Sequence, residues 1–272
     1  MIYDYDDDNE LKVDDYIPEI PLRHVEYSKV LHVPESSVET YNPYLKFGRT
    51  QLKESTDELV HAWPRGYPLE QIRNVSVVEA RTPEATASMT GSIAVLQSLA
   101  DHDPDMDGIW RLTQKLPLKF MPESDALILD FGVMAPWNAQ AVILEHSAFF
   151  TMLLPISVHG RVTDIWRSYM SNRLLRDAGK RVAFSKPWVD QYRNPHDYMA
   201  DFNSELPLYQ TSQELVKALI GWKSNATNVP GRLEDLAIFM YEYGFLEFSD
   251  IALYQAWIKD LVAIGYTFPD LA

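Results

Sequence analysis

Met1-Ile-Tyr-Asp-Tyr-Asp-Asp-Asp-Asn-Glu10 opens the chain and carries its most telling pattern. A short β-like stub, Met1 to Tyr3, runs into Asp4, Asp6, Asp7 and Asp8, with Asn9 behind them. Four carboxylates within five positions repel one another, so something has to offset them. A hard divalent cation held by oxygen ligands does so, and such an ion typically bridges to phosphates rather than sitting in an all-protein cage. The competing reading is an acidic, solvated tail, because blocks of like charge are commonly disordered. Both stand on this segment alone.

The rest of the composition narrows the field. At 272 residues, with 46% hydrophobic and 12% aromatic side chains, the chain holds one large domain, or a domain with an appendage, around a packed core. A net charge of −15 argues against a nucleic-acid or anionic-membrane surface, both of which need a basic patch. An acidic protein that binds a phosphorylated substrate needs a metal or local arginines to reverse the field. There are no cysteines, which excludes disulfides, zinc-thiolate sites and thiol nucleophiles. No signal-peptide pattern precedes the acidic cluster. No apolar run approaches the ~20 residues of a membrane span, so a soluble chain is expected. The longest run, from Ala148 to Val158, contains Pro155.

Periodicity predicts strands over Glu26–Val33, Val75–Val78, Ser92–Leu99 and Ala126–Leu129. From Val162 to Asp177, Ile165, Trp166, Tyr169, Met170 and Leu174 share one helical face, and Gly179 is placed to stop the helix. A short return strand follows at Arg181–Phe184. Beyond it the pattern is helical, with Thr211-Ser-Gln-Glu214 as a capping box and Ser249 as a cap for the last helix. The expected architecture is an α/β domain over residues 1–206 and an α-helical region over residues 207–272.

Several constellations can carry chemistry. Pro64-Arg-Gly-Tyr-Pro68 puts Arg65 on a rigid backbone, where its planar fork suits a phosphate or simply decorates a turn. Asp164 lies near a helix start; it or Thr163 can cap the helix, and it can equally deprotonate an acceptor hydroxyl. Trp166 and Arg167 follow it directly. Phe131-Gly-Val-Met-Ala-Pro-Trp-Asn138 offers aromatic and amide groups, with Asn138 at its end, suited to a sugar or to core packing. Residues 101–107 form a second acidic loop that lacks the glycine-centred spacing of a calcium site and reads as a solvated connection. No serine nucleophile elbow, phosphate-binding glycine loop or dinucleotide fingerprint is present, so hydrolase, kinase and dehydrogenase readings have no support.

Taken in order, Asp4-Tyr-Asp-Asp-Asp-Asn9, Trp63-Pro-Arg-Gly-Tyr-Pro68, Asp107-Gly-Ile-Trp-Arg-Leu-Thr113, Ala135-Pro-Trp-Asn138, Thr163-Asp-Ile-Trp-Arg-Ser-Tyr169 and Leu261-Val-Ala-Ile-Gly-Tyr266 resemble the STELLO-type glycosyltransferases. The best-known members of that family are plant Golgi membrane proteins tied to cellulose synthase assembly. A more distant likeness is to the reversibly glycosylated polypeptides, the UDP-arabinopyranose mutases. The resemblance implies a GT-A nucleotide-sugar fold with a mostly parallel sheet, a UDP-sugar donor, an unidentified acceptor and a divalent metal, manganese by preference. Carried over by position, Asp6 and Asp8 bind the metal-diphosphate through a DxD motif, although Asp4 and Asp6 fit the same spacing. Arg65 lies by the donor, Asn138, Trp166 and Arg167 contact substrate, and Asp164 is the base-like carboxylate. The resemblance also implies a Golgi lumen location and a protein partner there.

One departure bears on activity. Only three residues precede Asp4, where the strand–helix units of the nucleotide-binding half are expected, and the membrane anchor of the plant relatives has no counterpart. The expectation is therefore the C-terminal half of a GT-A-like domain, whose start lies upstream or which is a fragment without catalysis. The rival expectation is a non-catalytic assembly or scaffold protein that keeps the fold.

Overall fold

A computed structural model describes residues 2–5, 9–12, 31–33, 39–47, 49–51, 61–73, 93–120 and 126–272. The acidic residues Asp6, Asp7 and Asp8 and the expected strand Val75–Val78 lie outside them.

The described strands form one mixed sheet: β1 (Ile2–Tyr5), β2 (Asn9–Leu11), β3 (Leu31–Val33), β4 (Arg49–Gln51), β5 (Ile93–His102), β6 (Leu118–Phe120), β7 (Leu127–Leu129), β8 (Ala141–Leu144) and β9 (Arg181–Gln191). The order is β1-β8-β5-β9-β7-β3, with β2 added to β9 and β6 joining β5 to β4. Two pairs, β5/β9 and β3/β7, are parallel and the others antiparallel, so the expected mostly parallel sheet is in fact mixed. β5 and β9 form its centre. Every residue of β5 but the last is buried, and its near-continuous apolar run is what a strand covered on both faces requires.

β9 runs well past the expected Arg181–Phe184, to Gln191. Pro187 is the reason the sequence pattern stops early. The proline cannot donate to the ladder, and the structure absorbs it where the β5/β9 register shifts between Ser98 and Ala100. There Ser98 Oγ accepts from the Trp188 amide at 2.9 Å in place of a ladder partner.

Between the strands lie α1 (Pro43–Phe47) and α2 (Gly108–Thr113). The long helix α3 spans Gly160–Asp177, and its cap is His159, whose Nδ1 accepts from the Arg161 amide at 3.2 Å. Neither Thr163 nor Asp164 caps it; starting two residues earlier than expected turns Asp164 inward. Gly179, at φ +64°, supplies the left-handed turn that ends it.

The C-terminal helices are α4 (Tyr198–Ser204), α5 (Leu206–Gly221), α6 (Val229–Glu242) and α7 (Phe248–Ala263). The capping box at Thr211 is not used: α5 begins five residues earlier with Pro207 in its first turn, and the Thr211 hydroxyl instead donates back to the Pro207 carbonyl at 2.6 Å. Likewise α7 begins after Glu247, not at Ser249. These helices pack onto α3 and the sheet. Leu215, Leu219, Leu236, Met240 and Leu261 share one core cluster with Ile165, Tyr169 and Val95. Arg173 on α3 donates to the Trp222 carbonyl at 3.0 Å, and Trp257 Nε1 to the Phe150 carbonyl at 2.9 Å. Among the described residues no helix is long and apolar enough to cross a membrane.

Candidate functional site

The segment Pro64-Arg-Gly-Tyr67 closes as a β-turn, the Tyr67 amide donating to the Pro64 carbonyl at 3.1 Å. Its third residue needs a positive φ, and Gly66 supplies +80°. Glycine is needed there for space as well: a Cβ on Gly66 would stand 2.3 Å from Ile165 Cγ2. Tyr169 on α3 donates to the Gly66 carbonyl at 2.9 Å and locks the turn against the helix.

So held, Arg65 lies between two carboxylates. Its Nε and Nη2 donate to Asp105 Oδ1 and Oδ2 at 2.9 and 3.0 Å. Its Nη1 and Nη2 donate to Asp164 Oδ1 and Oδ2 at 3.1 and 2.8 Å. The last N–H of Nη1 goes to the Arg161 carbonyl. All five donors of the guanidinium are thereby used. Burial pushes the Asp105 carboxyl up, but the Arg65 charge and hydrogen bonds, with Arg193 and Arg161 behind them, outweigh it and hold it well below the ordinary carboxylate range. Burial likewise works against the charged Arg65, and Asp105 and Asp164 together overcome it, raising its pKa.

Asn138 joins the same group, donating from Nδ2 to Asp105 Oδ2 at 2.9 Å while its backbone amide donates to Gln97 Oε1 at 3.0 Å. A small cavity is lined by Arg65, Gln97, Asp105, Trp137, Asn138 and Gln140. Of the residues singled out from sequence, Arg65, Asp164 and Asn138 are therefore brought together, with Asp105 as the link. Trp166 and Arg167 are not in this group. At about 100° per helical residue Trp166 turns away from Asp164's side of α3, whereas Arg167, three residues on, keeps to that side but reaches past the group to Trp137. Trp166 meets Phe245 edge-on at 6.3 Å, and Arg167 lies over the Trp137 ring at 4.3 Å with Nη1 3.6 Å from Met152 Sδ.

Asp6 and Asp8 lie outside the described residues, but their flanks do not. Tyr5 pairs with Ala141, and Asn9 Nδ2 donates to the Gln140 carbonyl at 2.7 Å. The residues flanking the acidic run are thus bonded at Ala141 on one side and at the cavity residue Gln140 on the other. Asn9 Oδ1 is buried and has no hydrogen-bond partner among the described residues.

The second acidic loop is the largest miss of the sequence reading. It is not solvated: Asp101, Asp105 and Asp107 are 3%, 3% and 0% exposed. Asp101 accepts from the Phe120 amide at 2.8 Å and pairs with Lys12. Arg111 pairs with Asp103 and donates to the Met106 and Pro104 carbonyls at 3.0 and 2.8 Å, folding the loop around itself. Asp107 caps α2 through the Trp110 amide at 2.8 Å and accepts Trp63 Nε1 at 2.6 Å. Burial pushes its carboxyl up to about 6, against the pull of those two hydrogen bonds. The available signal was Asp107 standing directly before Gly108-Ile-Trp-Arg111, an N-cap followed by a helix start.

Residues 161–272 match the family model for STELLO glycosyltransferases. Over 235 residues the chain is 31% identical to "Probable glycosyltransferase STELLO2" of Arabidopsis thaliana, an alignment covering 85% of this chain and 29% of that protein. It is also 31% identical over 235 residues to "Probable glycosyltransferase STELLO1" of the same plant, covering 85% of this chain and 28% of that one. The chain thus spans less than a third of the length of these relatives.

Proposed function

We propose that this chain moves a sugar from a UDP-sugar donor to an acceptor hydroxyl with a divalent metal, manganese by preference, on a GT-A-like frame, a reading supported by the match of residues 161–272 to the STELLO glycosyltransferase family model and by the likeness to the two Arabidopsis proteins. The observation that carries this reading is the meeting of Arg65, Asp164 and Asn138 around Asp105 beside a cavity that reaches Gln140, where the flank of the acidic run is bonded.

The residues at that flank fit a hard cation. Asp6 and Asp8 would hold it, and the unpartnered Asn9 Oδ1 is an oxygen donor of the kind such an ion takes. Among the described residues no group of three or more acidic or histidine side chains is placed to hold a metal. When bound, the metal would neutralise the charge that develops on the leaving diphosphate. Asp164 would take the proton of the acceptor hydroxyl as that oxygen bonds to the sugar's anomeric carbon and the bond to the diphosphate breaks. Asp105 and Arg65 would hold Asp164 in place, and Asp164 would exchange one Arg65 bond for the acceptor. A Golgi lumen location and a protein partner there belong to the same proposal and rest on the family resemblance.

Titration calorimetry with UDP-sugars and manganese tests the reading. The expected result is manganese-dependent binding that disappears in an Asp6→Asn, Asp8→Asn double variant. Absence of binding to any UDP-sugar at millimolar concentration would overturn it.

One observation favours the rival, a non-catalytic scaffold that keeps the fold. All five Arg65 donors are satisfied inside the protein, as in a structural clamp. Under that reading Asp164→Asn alters stability and leaves partner binding and any UDP-sugar turnover as they were.

A further inference from the structure

We propose that Arg193, which no sequence motif singles out, is the cation that binds the diphosphate of the nucleotide donor. This rests on the transfer reading above and adds a residue to it.

Among the arginines around Asp105, Arg65 has all five donors filled. Arg111 is bound to Asp103 and to the Met106 and Pro104 carbonyls. Arg161 donates from Nε to Glu205 Oε1 at 2.7 Å, its Nη2 forms a close ion pair with the same oxygen, and its Nη1 pairs with Asp201. Arg193 differs. Its Nη2 is 3.6 Å from Asp105 Oδ1, beyond a hydrogen bond, and that oxygen already accepts from Arg65. Its Nη1 is buried and has no hydrogen-bond partner among the described residues. A buried guanidinium N–H left unpaired is costly, and it calls for an acceptor that the described residues do not provide. Burial and the like charge of Arg111 also press on the group, lowering its pKa. An anion relieves both at once.

The position of Arg193 in the fold points the same way. Ligands of open α/β sheets sit beyond the carboxyl ends of the parallel strands. β5 and β9 are the central parallel pair, their last residues His102 and Gln191 lie side by side, and Arg193 is two residues past that end. His102 holds a φ of +71° there, a conformation disfavoured for any side chain and one that concentrates at functional sites. Asn9, the first residue of β2, pairs with Gln191. The chain therefore enters β2 from the acidic run at the same end where β9 leaves toward Arg193. A diphosphate beyond that end would meet the Arg193 fork. Its oxygens are acceptors only, which suits a bidentate fork.

The test measures binding of inorganic diphosphate and of UDP, each with and without manganese, by calorimetry and by thermal shift. The variants are Arg193→Met and Arg193→Lys. Arg193→Met is expected to keep or raise the melting temperature without ligand and to lose about tenfold or more in affinity for both probes. Arg193→Lys, keeping charge without the fork, is expected to fall between, and it decides the matter if the methionine variant fails to fold. Should the wild type bind UDP and both variants bind it equally well, Arg193 is overturned and the transfer reading stands. Binding of inorganic diphosphate that depends on Arg193, with no recognition of UDP-sugars, would keep Arg193 and remove the transfer reading. Wild-type protein that binds neither probe overturns both.

Discussion

Arg65 and Asp164, 99 residues apart in sequence, meet through two parallel hydrogen bonds of 3.1 and 2.8 Å in the protein interior. The same guanidinium grips Asp105 through two more, of 2.9 and 3.0 Å. One side chain thus ties the turn after Trp63, the loop after β5 and the first turns of α3 into a single unit. Charges taken this far from water are tolerable only while all partners remain.

Removing the middle partner is therefore expected to be severe. Arg65→Met leaves Asp105 and Asp164 buried without their cation, and breaking such a pair typically costs about 3–5 kcal/mol. Arg65→Lys keeps the charge but not the fork, and should recover only part of the loss. Urea denaturation of the three proteins checks this. A cost below about 1 kcal/mol for the methionine variant would mean that the network does not hold the fold together.

Asp107 gives a pH dependence with a definite sign. Its folded pKa of about 6 stands above the ordinary 3.8. Between those values the native state keeps a proton that the unfolded chain has released. The stability this group contributes is therefore full below about 4 and falls as pH rises toward 6. At about 1.4 kcal/mol per pKa unit, the loss is on the order of a few kcal/mol. Asp105 works the other way: its lowered pKa gives stability that is lost as pH falls below the ordinary carboxylate range. The measurement is unfolding free energy from pH 4 to 7 for the wild type and Asp107→Asn. The difference between them should shift across that window, and a difference independent of pH would contradict the assignment.

What was legible in the sequence follows from what periodicity can report. The Ile165, Tyr169 and Leu174 spacing located α3, and Gly179 marked its end, because one apolar face and one left-handed residue are local signals. The proline–arginine–glycine turn was legible for the same reason. The extent of β9 was not, because Pro187 interrupts a ladder that only the β5 partner can bridge. Residues 101–107 were misread because their carboxylates look solvated until Lys12, Arg65, Trp63 and Arg111 arrive from elsewhere in the chain. Arg193 carried no local signal at all, since its significance lies in the partner its Nη1 lacks.

The C-terminal helices are expected to be part of the folding unit. Leu219, fully buried in α5, shares the cluster with α3, and Leu219→Ala should cost about 2–5 kcal/mol. Truncation after Pro207 would strip Trp222 from Arg173, Trp257 from the Phe150 carbonyl and Tyr266 from the His146 and Ser147 carbonyls. Loss of a cooperative unfolding transition is the expected result. A truncated chain that stays soluble and unfolds cooperatively would instead make these helices a separable module.

Gly66 offers the sharpest test of how the site is built. At φ +80° any other residue is strained, and a methyl group there would stand 2.3 Å from Ile165 Cγ2. Ile165 is the neighbour of Asp164, so the turn and the helix cannot separate without lengthening the Arg65–Asp164 bonds. Gly66→Ala is expected to destabilise by more than the roughly 1–2 kcal/mol of a left-handed residue alone, because the clash adds to the backbone strain. Shortening the opposing side chain separates the two contributions. Ile165→Ala opens room for the new methyl, so the double variant should be less destabilised than the sum of the two single changes, by about 1 kcal/mol or more. Unfolding free energies of the four proteins in a double-mutant cycle measure this. Strict additivity would show that the close approach of Gly66 to Ile165 does not set the position of Arg65.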